Sequence, residues 1–191
     1  RAKALQQEGR DICSLSAGEP DFGTPSFIVE ASIQALRDGV TRYGPAAGDP
    51  ALRRAIASKI TNENGLPTAA DEVLVTNGGK QAIFNLFQVL LNPGDEVLIP
   101  APYWLSYPEM ARLAGAKPIS VPSSALDGFC LDLQALEAAI TPATRLLVIN
   151  SPGNPTGRVL SLDELQQLAE LVRRHPRLLV MTDEIYEYLL D

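Results

Sequence analysis

The sequence predicts an α/β domain with a largely parallel sheet covered by helices on both faces. Three observations predict it. The short apolar runs EVLIP (96–100), RLLVI (145–149) and RLLVMTDE (177–184) have too little alternation to face water on either side, as expected of buried parallel strands. Stretches with helical spacing separate these runs, the βαβ pattern of a doubly covered sheet. Gly, Pro, Asn and Asp cluster at the joints, as in NPGD (92–95) and NSPGNPTG (150–157).

The elements follow in order. Thr24-Pro25 reads as N-cap and first helical residue, Ile28, Val29, Ile33 and Leu36 mark one face, and Gly39 is the stop. Asp49-Pro50 repeats the start signal, with Leu52, Ile56 and Ile60 on one face and Gly65 as the stop. EVLVT (72–76) reads as a strand and KQAIFNLFQVLL (80–91) as a mostly buried helix. EVLIP is the second strand. A helix near 104–114 ends at Gly115, and KPISVP (117–122) is the third strand. A short helix near 132–140 precedes RLLVI. Ser161 and Glu164 form a capping box for a helix through about Arg174, and RLLVMTDE carries the last strand.

Composition narrows the function classes. The 191 residues suffice for one medium domain with a real core, and 46% hydrophobic with 20% charged residues is ordinary for a soluble globular protein. A net charge of −7 argues against a nucleic-acid or anionic-membrane surface. No apolar run reaches the roughly 18 residues of a membrane helix, and no signal-peptide pattern opens the chain. Cys13 and Cys130 lie far apart without metal-like spacing and read as reduced thiols of a cytoplasmic protein. The single histidine, His175, precedes Pro176 at an expected helix end and reads as surface structure, so no metal site is expected.

Ligands of such sheets sit at the carboxyl ends of the strands, which directs attention to four strand exits. In VTNGGKQA, Gly78 and Gly79 open a helix, where bare backbone N–H groups and the helix dipole suit a phosphate; a ligand-free tight turn reads equally well from this stretch alone. The stretch matches neither the nucleotide P-loop nor the dinucleotide fingerprint. In APYWLSYPE, Trp104, the only Trp, can stack on a flat heteroaromatic ring or pack in the core. In MTDEIY, Asp183 ends an apolar strand, where a carboxylate needs a cationic or hydrogen-bonding partner or serves as a helix cap; Tyr186 follows one turn on. Asn154 sits in NSPGNPTG between Gly153 and Pro155, a rigid turn that can hold an amide over the sheet end. A phosphate cradle, an indole, a carboxylate, a phenol and an amide at one sheet edge together match the needs of pyridoxal 5′-phosphate.

The stretches SLSAGEPDF, YGPAAGDPALRRAIA, VTNGGKQAIFN, NPGDEVLIPAPYW, INSPGNPTGRV and TDEIYEYL, in this order and spacing, resemble the class I aminotransferases among the fold-type I pyridoxal-phosphate enzymes. Among these, the bacterial aspartate/prephenate branch is the most similar. The resemblance covers essentially the whole chain. It implies the α-β-α large domain of a pyridoxal-phosphate-dependent transferase, with a mostly parallel sheet that is incomplete here. Residues 1–40 would contribute to the small domain and substrate site, and residues 41–191 would form part of the large cofactor-binding domain.

The resemblance also implies residue roles. Backbone groups of Gly78, Gly79 and Lys80 would cradle the phosphate and Trp104 would stack on the pyridine ring. Asn154 and Tyr186 would hydrogen-bond the phenolic oxygen, and Asp183 would pair with the protonated ring nitrogen. Gly18 would lie beside the substrate carboxylate, with Trp104 and Asn154 also touching substrate. Lys80 would meet the distal carboxylate of a dicarboxylic substrate; a solvated lysine in the first helical turn is the alternative. Tyr43 would reach a phosphate in the neighbouring subunit, which implies a homodimer. Cis bonds are implied at Ala101-Pro102 and Asn154-Pro155.

The family's Schiff-base lysine lies about thirty residues beyond DEIY, and none of Lys3, Lys59, Lys80 and Lys117 occupies its position. The resemblance therefore places that lysine beyond Asp191, the last residue of the sequence. The chain is expected to be a portion of a longer enzyme, without a catalytic residue of its own and inactive alone. For the longer enzyme, transfer of an amino group between an amino acid, aspartate or glutamate, and a 2-oxo acid is expected. A pyridoxal-phosphate-dependent C–S lyase and a non-catalytic cofactor-sensing domain of a transcription regulator are the alternatives.

Overall fold

A computed structural model describes residues 2–13, 18 and 22–190. Asp191, beyond which the family's Schiff-base lysine is expected, lies outside the described residues. Two compact units are separated between Ala46 and Ala47. The first unit holds helices α1 (Ala2–Gln7) and α2 (Ser26–Arg37). Pro25 stands at the N-cap of α2 and no side chain caps it, so the helix begins one residue later than the Thr24-Pro25 signal predicts. The predicted apolar face of α2 is present, yet Ile28, Val29 and Leu36 are all exposed. Most of SLSAGEPDF lies outside the described residues; Gly18 is described and exposed.

The second unit carries the sheet. Helix α3 (Pro50–Asn62) begins where Asp49-Pro50 predicts, with the Asp49 carboxylate accepting from Ala51 and Leu52 N–H at 2.8 and 3.0 Å. Its expected face is only partly covered: Leu52 is exposed, and Ala57 is the buried residue. Then come α4 (Gly79–Leu90), β1 (Glu96–Pro100), α5 (Ser106–Leu113), β2 (Lys117–Val121), α6 (Leu133–Ala138), β3 (Thr144–Asn150), α7 (Leu162–Arg174) and β4 (Leu179–Asp183). The four strands are parallel in the order β2-β1-β3-β4.

Period-two alternation along buried strands builds two cores, one on each face. Val97 and Ile99 of β1, Leu146 and Val148 of β3 and Met181 of β4 meet Ile83 and Phe87 of α4 and Met110 and Ala111 of α5. The intervening Leu98, Leu147 and Ile149 meet Leu136 of α6 and Leu168 and Leu171 of α7. Helix α4 is less buried than its sequence predicts: Ile83 and Phe87 are enclosed, while Phe84 and Val89 are exposed.

The predicted strand 72–76 does not form. Residues 70–72 make a single 3₁₀ turn, Val73 is extended, and 73–76 form no regular element and do not join the ladder. The physical reason is pairing: apolar β-branched residues favour extension, but a strand also needs a neighbour for its backbone groups. Here Val75 N–H finds the Ala47 carbonyl at 3.0 Å. The approach is so close that a Cβ on Gly48 would lie 2.5 Å from that of Val75, and Gly48 has φ +101°. Only glycine fits there.

The capping box of α7 forms as expected. Glu164 N–H donates to Ser161 Oγ at 3.2 Å and Ser161 N–H donates to Glu164 Oε2 at 3.0 Å. The structure adds Arg158, whose Nη2 donates to both Glu164 oxygens at 2.7 Å. Burial alone pushes the Glu164 carboxyl up, but the bonds from Arg158, Ser161 and Leu131 N–H outweigh it and hold the group at about 2. Its ordinary value is 4.5, so the folded form binds the proton more weakly than the unfolded chain. The stabilisation is therefore complete above about pH 5 and lost as pH falls towards 2, a contribution of order 2–3 kcal/mol. In urea unfolding, Glu164→Gln should lower stability markedly at pH 7 and far less at pH 3. Equal losses at both pH values would contradict this reading.

Candidate functional site

Three strands end together at one edge of the sheet, and most of the sequence-predicted site residues of the second unit hang from those ends or from α4. Asn150 ends β3 opposite Asp183, which ends β4. The chain leaves β1 through a cis Ala101-Pro102 bond towards Trp104, and leaves β3 through cis Ser151-Pro152 and Asn154-Pro155 bonds. Two of these three cis bonds are those the family resemblance implies.

Asp183 is half-buried and well partnered. Its Oδ2 accepts from Tyr107 Oη at 2.7 Å and its Oδ1 from Ile185 N–H at 3.3 Å. Tyr107, on α5, is 1% exposed. Burial first, then the Asp183 carboxylate, push its phenol far above the ordinary value, so it stays protonated and donates. Tyr107 escaped the sequence reading. Its signal was available: it follows Trp104 by three residues in the helix expected near 104–114, a spacing at which side chains meet.

Trp104 packs edge-on to Tyr107, with ring centroids 5.3 Å apart and planes at 82°. Lys80 Nζ lies 5.0 Å from the Trp104 ring centroid, a cation–π distance. Lys80, Trp104, Tyr107 and Asp183 thus form one continuous run of contacts from the start of α4 to the end of β4.

The N-terminus of α4 is open. Gly78 stands at the N-cap with φ 85° and ψ 163°, and no side chain caps the helix. A Cβ on Gly78 or Gly79 would meet no atom within 4 Å. Positive φ explains glycine at 78; the open space at 79 leaves backbone N–H groups accessible to an anion. Gly79 and Asp183 line one pocket of about 350 Å³, with Thr182 and Tyr188. The end of β4 and the start of α4 therefore line the same space.

Asn154 lines a second, smaller pocket of about 60 Å³, together with Tyr103, Tyr107, Ser123 and Arg158. Trp104 lines neither of these two pockets; its link to Asp183 runs through Tyr107. The Asn154 turn is closed by Gly153 N–H donating to the Arg158 carbonyl at 2.9 Å and Leu160 N–H donating to Ser151 Oγ at 3.0 Å. Tyr186 is half-buried in the segment after β4. That segment is tied to α3: Glu187 pairs with Lys59 and accepts from Asn64 Nδ2 at 3.1 Å, and Tyr188 Oη donates to Glu63 at 2.5 Å. Lys59, first among the causes, holds the Glu187 carboxyl below its usual range.

Gly18 and Tyr43 belong to the first unit, and both are exposed. No cluster of His, Cys, Asp and Glu able to hold a metal occurs among the described residues, and no described helix is long and apolar enough to cross a membrane.

The arrangement has the parts that pyridoxal 5′-phosphate needs. An uncapped helix end suits the phosphate, the carboxylate of Asp183, a residue lining the same pocket, suits a protonated ring nitrogen, and an indole stands beside that carboxylate's partner.

The sequence matches the family model for aminotransferase class I and II over residues 10–190. It is 54% identical to a bifunctional aspartate aminotransferase and glutamate/aspartate-prephenate aminotransferase of Petunia hybrida, covering 100% of this chain and 40% of that protein. It is 50% identical to the aspartate/prephenate aminotransferase of Thermus thermophilus, covering 100% of this chain and 49% of that one. The structure of aspartate aminotransferase from Thermus thermophilus with maleate superposes with a TM-score of 0.94 at 50% identity, over 99% of this chain and 49% of that one. The aspartate aminotransferase from Rhizobium meliloti gives 0.94 at 42% identity, over 100% and 48%. The chain spans about half the length of most of these relatives. Enzymes of this family use pyridoxal phosphate. The fold, the residues at its sheet edge and the family match agree, and this chain belongs to the class I and II aminotransferases.

Proposed function

We propose that these residues form the cofactor-binding part of a pyridoxal-phosphate-dependent aminotransferase that moves an amino group between aspartate or glutamate and a 2-oxo acid. One observation carries the reading: Asp183 and the uncapped, glycine-opened end of α4 share a pocket, and a buried tyrosine connects that carboxylate to Trp104. Residues 1–40 are read as contributing to the small domain and substrate site, and residues 41–191 as part of the large domain. The lysine that carries the cofactor is read as lying beyond Asp191, so the 191 residues alone are expected to show no aminotransferase activity.

Pyridoxal 5′-phosphate, when bound, supplies a ring that draws electrons from the substrate's α-carbon. The chain's own groups prepare for this. Backbone N–H groups of Gly78, Gly79 and Lys80 bind the phosphate, assisted by the positive end of α4. Asp183 holds a proton on the ring nitrogen, and Tyr107 keeps that carboxylate oriented. Asn154 and Tyr186 hydrogen-bond the phenolic oxygen, and Trp104 covers the ring. Gly18, Trp104 and Asn154 contact the substrate. Tyr43 reaches a phosphate in the second subunit of a homodimer working in the cytoplasm.

Lys80 selects for charge. Its ammonium, already drawn over Trp104, gives a dicarboxylic substrate a charge-assisted hydrogen bond worth roughly 1.5–3 kcal/mol. In the full-length enzyme, aspartate or glutamate with a 2-oxo acid should yield the exchanged amino and oxo acids. Lys80→Ala should then reduce kcat/KM for acidic substrates by roughly 10–100-fold and for neutral ones by much less. Ammonia and pyruvate formed without an acceptor would indicate a lyase instead, and equal losses for acidic and neutral substrates would remove Lys80 from the substrate site.

A further inference from the structure

We infer that Asn150 is a positioning residue, whose one amide sets the placement of both Asn154 and Asp183. The inference rests on the proposed reading that these two residues face the cofactor. Asn150 Oδ1 accepts from Asn154 N–H at 2.8 Å. Its Nδ2 donates to the Asp183 carbonyl at 2.8 Å and to the Pro152 carbonyl at 3.2 Å. A single side chain thereby ties the end of β3, the end of β4 and the turn beyond β3 together.

The sheet ladder alone cannot do this. The paired register of β3 and β4 stops at Asn150 and Asp183, after which the two chains part. The Asp183 carbonyl and the Asn154 N–H both lie at or beyond that last pair, so their hydrogen bonds must come from elsewhere. An amide is the fitting group, since it offers an acceptor and two donors on one planar tip. It also couples the two sites: displacing Asn154 disturbs the same amide that holds Asp183. Misplacement by about 1 Å at a reacting centre can cost on the order of 10²-fold in rate.

Two substitutions and one control test this in the full-length enzyme reconstituted with pyridoxal 5′-phosphate. Asn150→Ala removes all three bonds. Asn150→Asp keeps the size and the acceptor for Asn154 N–H, but sets an oxygen against the Asp183 and Pro152 carbonyls. Thr141→Ala is the control, because Thr141 Oγ1 donates to Glu96 at 2.6 Å at the opposite end of β1 and β3 and touches neither Asn154 nor Asp183. The readouts are cofactor affinity, the pH midpoint of the bound cofactor's near-visible absorbance, kcat, KM and thermal midpoint.

Asn150→Ala is expected to lower kcat on the order of 10²-fold with KM little changed. It should also move the absorbance midpoint by about half a pH unit or more. Asn150→Asp should move the midpoint too, and it carries the test if the alanine variant does not fold. Thr141→Ala should leave the midpoint in place whatever it does to stability. Midpoints and kcat for both Asn150 variants matching Thr141→Ala would overturn the inference while leaving the cofactor reading intact. Wild-type enzyme that takes up no cofactor would overturn both.

Discussion

Asp183→Ala in the full-length enzyme is expected to lower kcat/KM by roughly 10²–10⁴-fold. Removing one partner of a buried ion pair costs about 3–5 kcal/mol, and each 1.36 kcal/mol is tenfold in rate. The proposed partner is the protonated ring nitrogen of the cofactor, which on binding would cover the half-buried carboxylate and exclude water from the pair. The substitution also strips Tyr107, 1% exposed, of its hydrogen-bond acceptor. A buried hydroxyl left without a partner adds about 1–3 kcal/mol of destabilisation. Asp183→Ala should therefore also hold its cofactor less tightly, measured as absorbance retained after dialysis. Tyr107→Phe, which leaves the carboxylate in place, should cost far less activity than Asp183→Ala. Activity of Asp183→Ala within about threefold of wild type would show that this carboxylate does not face the cofactor.

Phe87→Ala is expected to destabilise the enzyme by about 3–5 kcal/mol, the cost of emptying a filled aromatic site. Phe87 is fully buried, and with Ile83 it joins α4 to Val97, Ile99 and Val148 of the sheet. These are the two enclosed residues of α4, with Leu86 packed partly against the same core. The N-terminus of this helix is also the proposed phosphate site. Loosening the helix should therefore weaken cofactor binding along with stability, whereas Val89→Ala, on the exposed side, should change neither by more than about 0.5 kcal/mol. Urea unfolding with and without added cofactor separates the two effects. A Phe87→Ala enzyme as stable as wild type would mean that this core does not hold α4.

Much of the architecture was legible from local signals. Asp49-Pro50 started α3 and Ser161 with Glu164 started α7, because a cap is satisfied by atoms two to three residues away. The strands at 96–100 and 145–149 were legible because a run buried on both faces must be apolar throughout. EVLVT was misread since its composition reports a preference for extension and says nothing about a partner strand. The apolar stripe of α2 was legible as a stripe, but the pattern does not say whether anything covers it.

The candidate site divides in the same way. Gly78, Gly79, Trp104, Asn154 and Asp183 were singled out because the sequence puts each at an expected strand exit, although the strand expected before Gly78 does not form. Tyr107 and Asn150 were not, although they make the closest contacts to Asp183 and to the Asn154 turn. Tyr107 meets Asp183 across 76 residues of chain, and Asn150 meets the Asp183 carbonyl across 33.

By itself, the sequence determined the alternation of strands and helices, the caps, the turn residues and the family to which the chain belongs. These depend on interactions within a few residues, or on a pattern of residue types kept in order. Only the tertiary structure decided which strand exits adjoin, that the end of β4 lines the same pocket as the start of α4, and that a tyrosine and an amide hold the assembly. Such pairings depend on sheet order and strand register, and a hydrogen bond between distant residues leaves no mark on the neighbours of either one.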